Sequence, residues 1–255
     1  MQKASGPLAI HKAIEILRAF TPETPEVGVR DLASRIGMPK STVHRILNAL
    51  REEGLLEVNP DTGRYRLGLE LVAIAGMALR TVDVRRVALP YMSDLAARWR
   101  ETVDLDVLRG THVMIIEQIP GQHILKTGGM LAARLPAHST STGKVLLAYA
   151  GAQYVLQYLD EMLPRYTSQT ITSREALLAD LEQVRQQGYA RSWGEHEAYV
   201  RALGVPIRDR TGTVIAAMSI SGLATRIDEK TAEEMVQALK RAAAGISAGL
   251  GYVDR

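Results

Sequence analysis

The segment from Lys40 to Arg51 has the residue types and spacing that would let it contact a nucleic acid duplex. Its apolar residues recur with the period of an α-helix and predict a single buried stripe: Val43, Ile46, Leu47 and Leu50. The other positions carry hydrogen-bonding or basic groups: Lys40, Ser41, Thr42, His44, Arg45 and Asn48. Such groups can contact base edges or phosphates, so this face is predicted to enter a DNA major groove.

The local charge agrees with this prediction. No acidic residue occurs between Asp31 and Glu52, whereas four basic residues do: Arg35, Lys40, Arg45 and Arg51. A cluster of cations binds duplex DNA by displacing counterions from its phosphates. A three-helix unit of this kind can also mediate protein contacts, so a protein-interaction module remains an alternative at this point.

The flanking elements would have to position that helix. Gly37 permits a sharp corner and Pro39 suits the first turn of the following helix. Ala33 and Val43 stand where a helix-turn-helix needs one small and one branched residue between its crossing helices. Residues 55–58 and 64–67 read as two strands around a turn, which predicts a wing whose Arg64 contacts the DNA backbone or minor groove.

The composition indicates an ordinary globular chain. It has 255 residues, 46% of them hydrophobic, a net charge of +3 and no cysteine. The absence of cysteine excludes disulfides and thiol chemistry. The N-terminus does not resemble a signal peptide and no apolar run is long enough to cross a membrane, so we expect a cytoplasmic protein without membrane contact.

The remainder of the chain predicts a helix over about 8–20 and three regions: a winged domain (1–67), a linker helix (68–82) and a larger domain (83–255). The linker is strongly apolar, which predicts that it packs against a partner chain or the second domain, or lies buried in its own. In the larger domain, strands and helices mix without a regular alternation, which favours an α+β fold with a largely antiparallel sheet.

Four segments together resemble the IclR-type bacterial transcriptional regulators: residues 37–47, 65–68, 135–144 and 219–222. The resemblance covers nearly the whole chain. It implies a winged helix-turn-helix, a GAF-like effector domain, and a homodimer or dimer of dimers on double-stranded operator DNA. It also implies a pocket for a small organic effector and no cofactor.

The resemblance places this pocket against three segments of the larger domain, with these residues: Ser139, Ser141, Thr142, Gly143, Ser192, Trp193, Ala202, Ser219 and Ser221. The strand from Thr213 to Ser221 supports this independently, because its odd positions end in small and hydroxylated residues that leave room for a ligand. A solvent-exposed polar face is the alternative interpretation of the same pattern.

Two positions depart from some members of the family. Ser192 stands where a carboxylate is often found and Ala202 where a cysteine is often found, and Trp193 lies in the same loop. A pocket for a very small oxo-acid is therefore not expected. We expect a larger effector, aromatic or carboxylated, with Trp193 stacking on a ring.

An enzyme carrying an accessory winged domain is the remaining alternative. A phosphate loop needs a glycine five residues before Gly143 and a Ser or Thr after Lys144, but this chain has His138 and Val145 at those positions. His138 could act as a base beside a serine, but a helix cap by Ser or Thr explains this segment better. Glu195-His196-Glu197 is expected to be a solvated loop rather than a metal site, because adjacent residues point apart.

Overall fold

A computed structural model describes residues 8–80, 83–123, 131–159 and 163–253. The chain divides into two compact units, residues 1–81 and 82–255. Within the described ranges, no helix combines the length and the apolar character that a membrane crossing requires.

Residues 8–80 of the first unit form four helices and a two-stranded antiparallel sheet. The elements are α1 (Leu8–Arg18), α2 (Val29–Arg35), α3 (Lys40–Glu52), β1 (Leu56–Val58), β2 (Tyr65–Leu67) and α4 (Glu70–Arg80). Val43, Leu47 and Leu50 from the predicted stripe are buried against Ile16 of α1 and Leu32 of α2. The helix-turn-helix and the wing are thus present as predicted.

Local backbone geometry fixes the two ends of α3. Gly37 has φ +62°, in the left-handed region that glycine adopts without strain, and Pro39 is the residue that caps the helix. Gly54 follows the helix at φ +69°. These two glycines set the entry and exit of α3.

The wing is held to the body of the unit by Glu26 and Val27. Val27 pairs with Tyr65 of β2 and so extends the sheet. The Glu26 carboxylate accepts hydrogen bonds from Asn59 Nδ2 at 2.6 Å and Thr62 Oγ1 at 2.9 Å. The wing turn, which carries Arg64 at its end, is therefore fixed by contacts from outside the hairpin.

The second unit is built on a six-stranded antiparallel sheet with the strand order β5-β4-β3-β8-β7-β6. The strands are β3 (Thr102–Arg109), β4 (His112–Ile119), β5 (Arg134–Pro136), β6 (Ala190–Trp193), β7 (Val200–Arg208) and β8 (Val214–Leu223). The helices are α5 (Asp83–Trp99), α6 (Ser141–Tyr149), α7 (Ala152–Leu159), α8 (Arg174–Gln187) and α9 (Glu229–Gly249). The predicted α+β class with an antiparallel sheet is confirmed.

Helices cover both faces of this sheet. Helices α5 and α9 pack against β3, β4, β7 and β8, where alternate side chains such as Leu105, Leu203 and Ile220 are fully buried. Helices α6, α7 and α8 form a second core that includes Val113 and Ala217. The start of α6 lies on this second face, preceded by the 3₁₀ turn Ala137–Ser139.

Candidate functional site

The structure places the residues predicted to bind DNA on the face of α3 opposite its buried stripe and on the wing. Lys40, Ser41, His44 and Arg45 are exposed, while Thr42 and Asn48 are half-buried. His44 Nδ1 and Asn48 Nδ2 lie 3.2 Å apart, one helical turn from each other. Arg64 is exposed on the wing, with its guanidinium 4.0 Å from the Asp31 carboxylate. The basic and polar groups therefore remain available to a ligand outside the chain.

The second unit contains a cavity of about 120 Å³ between the sheet and the start of α6. Most of the residues predicted to bind an effector line it: Ser139, Ser141, Thr142, Ser192, Ala202, Ser219 and Ser221. Ser219 and Ser221 are only 4% and 7% exposed, so this face of β8 is not solvated. An engineered cavity of roughly 150 Å³ admits benzene, so this one suits a ligand of similar size.

Two glycines and a cap allow α6 to approach the sheet this closely. A Cβ on Gly204 would lie 2.9 Å from the Ser141 carbonyl carbon, so β7 needs glycine where α6 begins. Thr140 caps α6 by accepting a hydrogen bond from Gly143 N, as expected for this segment. A Cβ on Gly143 would lie 2.2 Å from the Ala137 oxygen, so Gly143 serves this tight turn and is not part of the cavity wall.

The expectation that Trp193 stacks on a ligand in this cavity is wrong. Ser192 points into the cavity, and successive side chains of a strand point to opposite faces. Trp193 instead lies between the guanidinium groups of Arg191 and Arg201, at 5.3 and 5.2 Å from its ring centre. Its Nε1 donates to Glu229 of α9 at 3.3 Å. Trp193 is therefore part of the packing between the sheet and α9.

Sequence reasoning missed two carboxylic acids in the cavity wall, Asp104 and Asp106 of β3. Gln118 Nε2 donates to Asp104 Oδ1 at 2.6 Å, and Thr142 Oγ1 donates to Asp106 Oδ2. Burial raises the pKa of Asp104 to about 6. Burial, and then the charge of Asp104, raise the pKa of Asp106 to about 8. Their alternation with Val103 and Leu105 was the available signal, but such a pattern ordinarily indicates a solvated face.

The loop between β6 and β7 is only partly the solvated loop that was expected, because Glu195 is buried whereas Glu197 is exposed. Glu195 is 8% exposed, and its Oε1 accepts a hydrogen bond from Lys144 Nζ at 2.7 Å. Lys144, 2% exposed on α6, also lies 3.3 Å from Asp180 Oδ2 of α8. This buried ion cluster fastens the loop to two helices and brings His196 and Glu197 to the cavity.

His138 and His196 both lie near the serines of the cavity but are engaged differently. His138 hydrogen-bonds to Tyr158 Oη at 2.9 Å and to the Pro164 oxygen at 3.0 Å, so it is engaged away from Ser139. His196 Nδ1 lies 3.4 Å from Ser139 Oγ, a long hydrogen bond compared with the roughly 2.6–3.2 Å typical of a nucleophile and its base. Burial lowers the pKa of both histidines. In the part of the chain that the structure covers, no three His, Asp or Glu side chains are grouped to hold a metal ion.

Comparison with known proteins identifies both units. Residues 9–60 match the IclR helix-turn-helix domain, and residues 76–248 match the bacterial transcriptional regulator IclR C-terminal domain. The HTH-type transcriptional regulators KdgR and XynR of Escherichia coli (strain K12) are 38% and 34% identical to this chain. Each alignment covers 96% of this chain, with 94% of KdgR and 97% of XynR.

Solved structures agree with the sequence matches. An IclR homolog complexed with 4-hydroxybenzoate, from Microbacterium hydrocarbonoxydans, superposes with a TM-score of 0.85 at 33% identity, over 95% of this chain and 98% of its own. The Thermotoga maritima IclR superposes with a TM-score of 0.77 at 32% identity, over 95% and 98%. With both domains matched in order and relatives aligned over nearly their whole length, this chain belongs to the IclR family of bacterial transcriptional regulators.

Proposed function

We propose that this protein is a ligand-responsive regulator that binds operator DNA through α3 and the wing, and senses a small organic acid in the cavity of its second unit. The observation that carries the sensing half is the cavity itself, whose wall includes serine and threonine hydroxyls from α6, β6 and β8. The homolog that binds 4-hydroxybenzoate supports an organic acid as the class of ligand. Such a regulator acts in the cytoplasm, where bacterial DNA lies.

The DNA half of the proposal rests on the exposed face of α3. Ser41, Arg45 and Asn48 are one helical turn apart and would face the floor of the major groove, while Lys40, Thr42 and His44 flank them. Some of these groups would contact base edges and others phosphates. Arg64 would reach the backbone or the minor groove from the wing.

Association of two chains is supported by the apolar surface around α4. Leu69, Val72 and Ile74 are 75%, 66% and 47% exposed, so these apolar side chains are not covered by the first unit. A homodimer would cover these side chains and present two α3 helices to a roughly palindromic operator. A dimer of dimers would extend the same arrangement to a second operator site.

Effector binding would regulate DNA binding by favouring one arrangement of the DNA-binding units over another. A ligand shifts such an equilibrium only by the difference between its affinities for the two states. The effector must therefore contact groups of the cavity wall that move between those states. The start of α6 and the β6–β7 loop are the parts of the wall joined to several elements at once.

Replacement of one basic residue on α3 tests the DNA half. Arg45→Ala should weaken operator binding by about 1–3 kcal/mol, because it removes a charged contact in the groove. Effector affinity, measured by calorimetry, should not change. Arg210→Ala, which removes one exposed charge from the β7–β8 turn, is the matched control and should bind operator like the wild type. Unchanged operator affinity of Arg45→Ala would refute the assigned recognition face.

A further inference from the structure

We propose that Asp104 and Asp106 determine which effector the cavity accepts, by receiving hydrogen bonds from hydroxyl groups of a hydroxylated carboxylic acid. The inference rests on the proposed sensing function and names the ligand class for the same cavity. It concerns Asp104 and Asp106, two carboxylic acids in a wall whose other polar side chains are mainly hydroxyls.

The carboxyl groups occupy one face of β3 and point into the cavity. Asp104 pairs across the sheet with Ser219, and Asp106 with Ala217, so the acids lie beside the small residues of β8. They are 7% and 3% exposed. Asp106 Oδ2 is engaged by Thr142, whereas Asp106 Oδ1 is buried and has no partner among the described residues. A buried acceptor left unpaired is destabilising, and a ligand donor at this point would remove that cost.

The start of α6 offers groups that suit a carboxylate. Ser141 and Thr142 form the first turn of this helix, where backbone N–H groups and the helix dipole favour an anion. The hydroxyls of Ser139 and Ser219 line the same cavity, whereas the Ser192 hydroxyl already donates to the Ser139 oxygen. The helix start alone would not specify a ligand, but the unpaired Asp106 oxygen in the same cavity adds an acceptor for a ligand hydroxyl.

The charges around the cavity disfavour a ligand with a second carboxylate. No Lys or Arg is among the described residues of the cavity wall, and Lys144, the nearby cation on α6, is engaged by Glu195 and Asp180. A second carboxylate would therefore meet Asp104 and Asp106 without a compensating Lys or Arg. Neutral hydroxyls can donate to these carboxyl groups, which makes a hydroxylated monocarboxylic acid the class that fits this wall.

Protonation of the pair should couple binding of this acid to pH. The pKa of Asp106, raised to about 8 by burial and by Asp104, leaves the pair below its full charge at neutral pH. The other titratable groups of the wall are His196 and Glu197 of the β6–β7 loop; β8 and α6 present hydroxyls there. Ionisation of Asp106 adds a negative charge near the bound anion. Affinity for the acid should therefore fall as the pH rises through about 8.

Matched pairs of acids test the inference on the whole protein. Calorimetry would compare 4-hydroxybenzoate with benzoate, and threonate with butyrate, so that each pair differs in its hydroxyl groups. We expect the hydroxylated member of at least one pair to bind roughly tenfold or more tightly, since a site built to hydrogen-bond a hydroxyl rejects the analogue without it. The aromatic and aliphatic pairs distinguish the two kinds of hydroxylated acid.

Variants of Asp104 and Asp106 test whether these residues cause the preference for hydroxylated ligands. Asp104→Ala and Asp106→Ala should each reduce the preference for the hydroxylated member, and Asp106→Asn should abolish the fall in affinity above pH 7. Asp94→Asn, an exposed change on α5, is the control and should behave like the wild type. The wild-type comparison needs no variant, so the absence of a preference there would overturn the inference even if an alanine variant failed to fold.

The outcomes separate this inference from the proposed function. Tight binding of benzoate or butyrate without any preference for the hydroxylated partner would overturn the role of Asp104 and Asp106 while leaving an acid-sensing regulator in place. Binding of none of the four acids, together with operator binding that none of them alters, would overturn both.

Discussion

Asp106 is a buried carboxylic acid that lines the cavity of the second unit. It is 3% exposed, lies beside another carboxyl group, and has one hydroxyl partner in Thr142. An ionised carboxylate in such surroundings is costly, because neither water nor a cation compensates its charge. The folded protein therefore favours the protonated acid, and its stability must depend on pH.

The sign of this dependence follows from the raised pKa. The ordinary pKa of an aspartic acid side chain is 3.8, and burial raises the pKa of Asp106 to about 8. The contribution of Asp106 to stability is thus fully present below about pH 3.8 and is lost as the pH rises towards 8. We predict that the free energy of unfolding of the wild type, relative to Asp106→Asn, falls between about pH 4 and 8 and then levels off.

Urea denaturation of both proteins across this pH range measures the difference. Asp104, whose raised pKa is about 6, remains in both proteins and contributes a similar trend below pH 6 to each. Asp94→Asn, the same substitution at an exposed position of α5, is the matched control. If the free energy of unfolding of the wild type instead rose with pH relative to that of Asp106→Asn, Asp106 would be ionised in the folded protein.

At the scale of elements, α6 organises the second unit because it contacts the sheet, α8 and the β6–β7 loop. Its close approach to the sheet depends on Gly204, where an added Cβ would meet backbone atoms of Ser141 and Thr142. We predict that Gly204→Ala destabilises the unit by about 1–3 kcal/mol through overpacking. It should also weaken effector binding, since the start of α6 would have to move.

Thermal denaturation and calorimetry of the same sample check both effects. Gly151→Ala is the matched control, because a Cβ at that position would have no heavy atom within 4 Å. Wild-type stability and effector affinity in Gly204→Ala would show that the spacing between α6 and β7 adjusts freely.

The second support of α6 is the buried cluster of Lys144, Glu195 and Asp180. Replacing the cation leaves two carboxylates without compensation in a buried site. We predict that Lys144→Met costs about 3–5 kcal/mol of stability, in the range for breaking one partner of a buried pair. Chemical denaturation measures this, with the exposed Lys230→Met as the control. A loss no larger than that of the control would mean that solvent already screens the cluster.

The elements that sequence periodicity predicted are those with a long, regular apolar pattern. Helix α3 has such a stripe, and the residues of its turn and wing have strong conformational preferences. The helix-turn-helix and wing of the first unit could therefore be predicted from the sequence. Strands β5 and β6 were not predicted, because Arg134–Pro136 and Ala190–Trp193 are short and carry no apolar alternation. Their pairing is determined by the neighbouring strands of the sheet.

The same limitation explains why only part of the cavity wall could be predicted from the sequence. The serine positions followed from a resemblance in sequence, whereas Asp104 and Trp193 depend on which face of the sheet each strand presents. Polar alternation on β3 cannot show whether a helix covers that face. Trp193 could be placed only once β6 was known to be a strand whose neighbour Ser192 points inward.

At the scale of the whole molecule, the candidate DNA and effector sites belong to different compact units of one chain. Any influence of one on the other is a coupling free energy and must be reciprocal. An effector that weakens operator binding by a given factor must itself be bound more weakly, by that factor, when operator is present. Association of two chains would bring two DNA-binding units to one operator.

The apolar surface of α4 supplies the sharpest test of that association. Val72 is 66% exposed, so a charge at this position should leave the fold of the isolated chain intact. In a dimer that covers this surface, the same charge would be buried without a partner. We predict that Val72→Lys raises the dimer dissociation constant roughly tenfold or more, as for loss of an anchoring contact. Affinity for a palindromic operator should fall with it, while effector affinity stays unchanged.

Sedimentation equilibrium over a range of protein concentrations measures the dissociation constant directly. Leu156→Lys is the control: it places the same charge on an apolar residue of α7 that is 48% exposed in the second unit. Dissociation in Val72→Lys alone would assign the dimer contact to α4. If Val72→Lys stayed dimeric and Leu156→Lys dissociated, the second unit would hold the dimer together. The exposed face of α4 would then have to be covered in some way other than by its counterpart in a second chain.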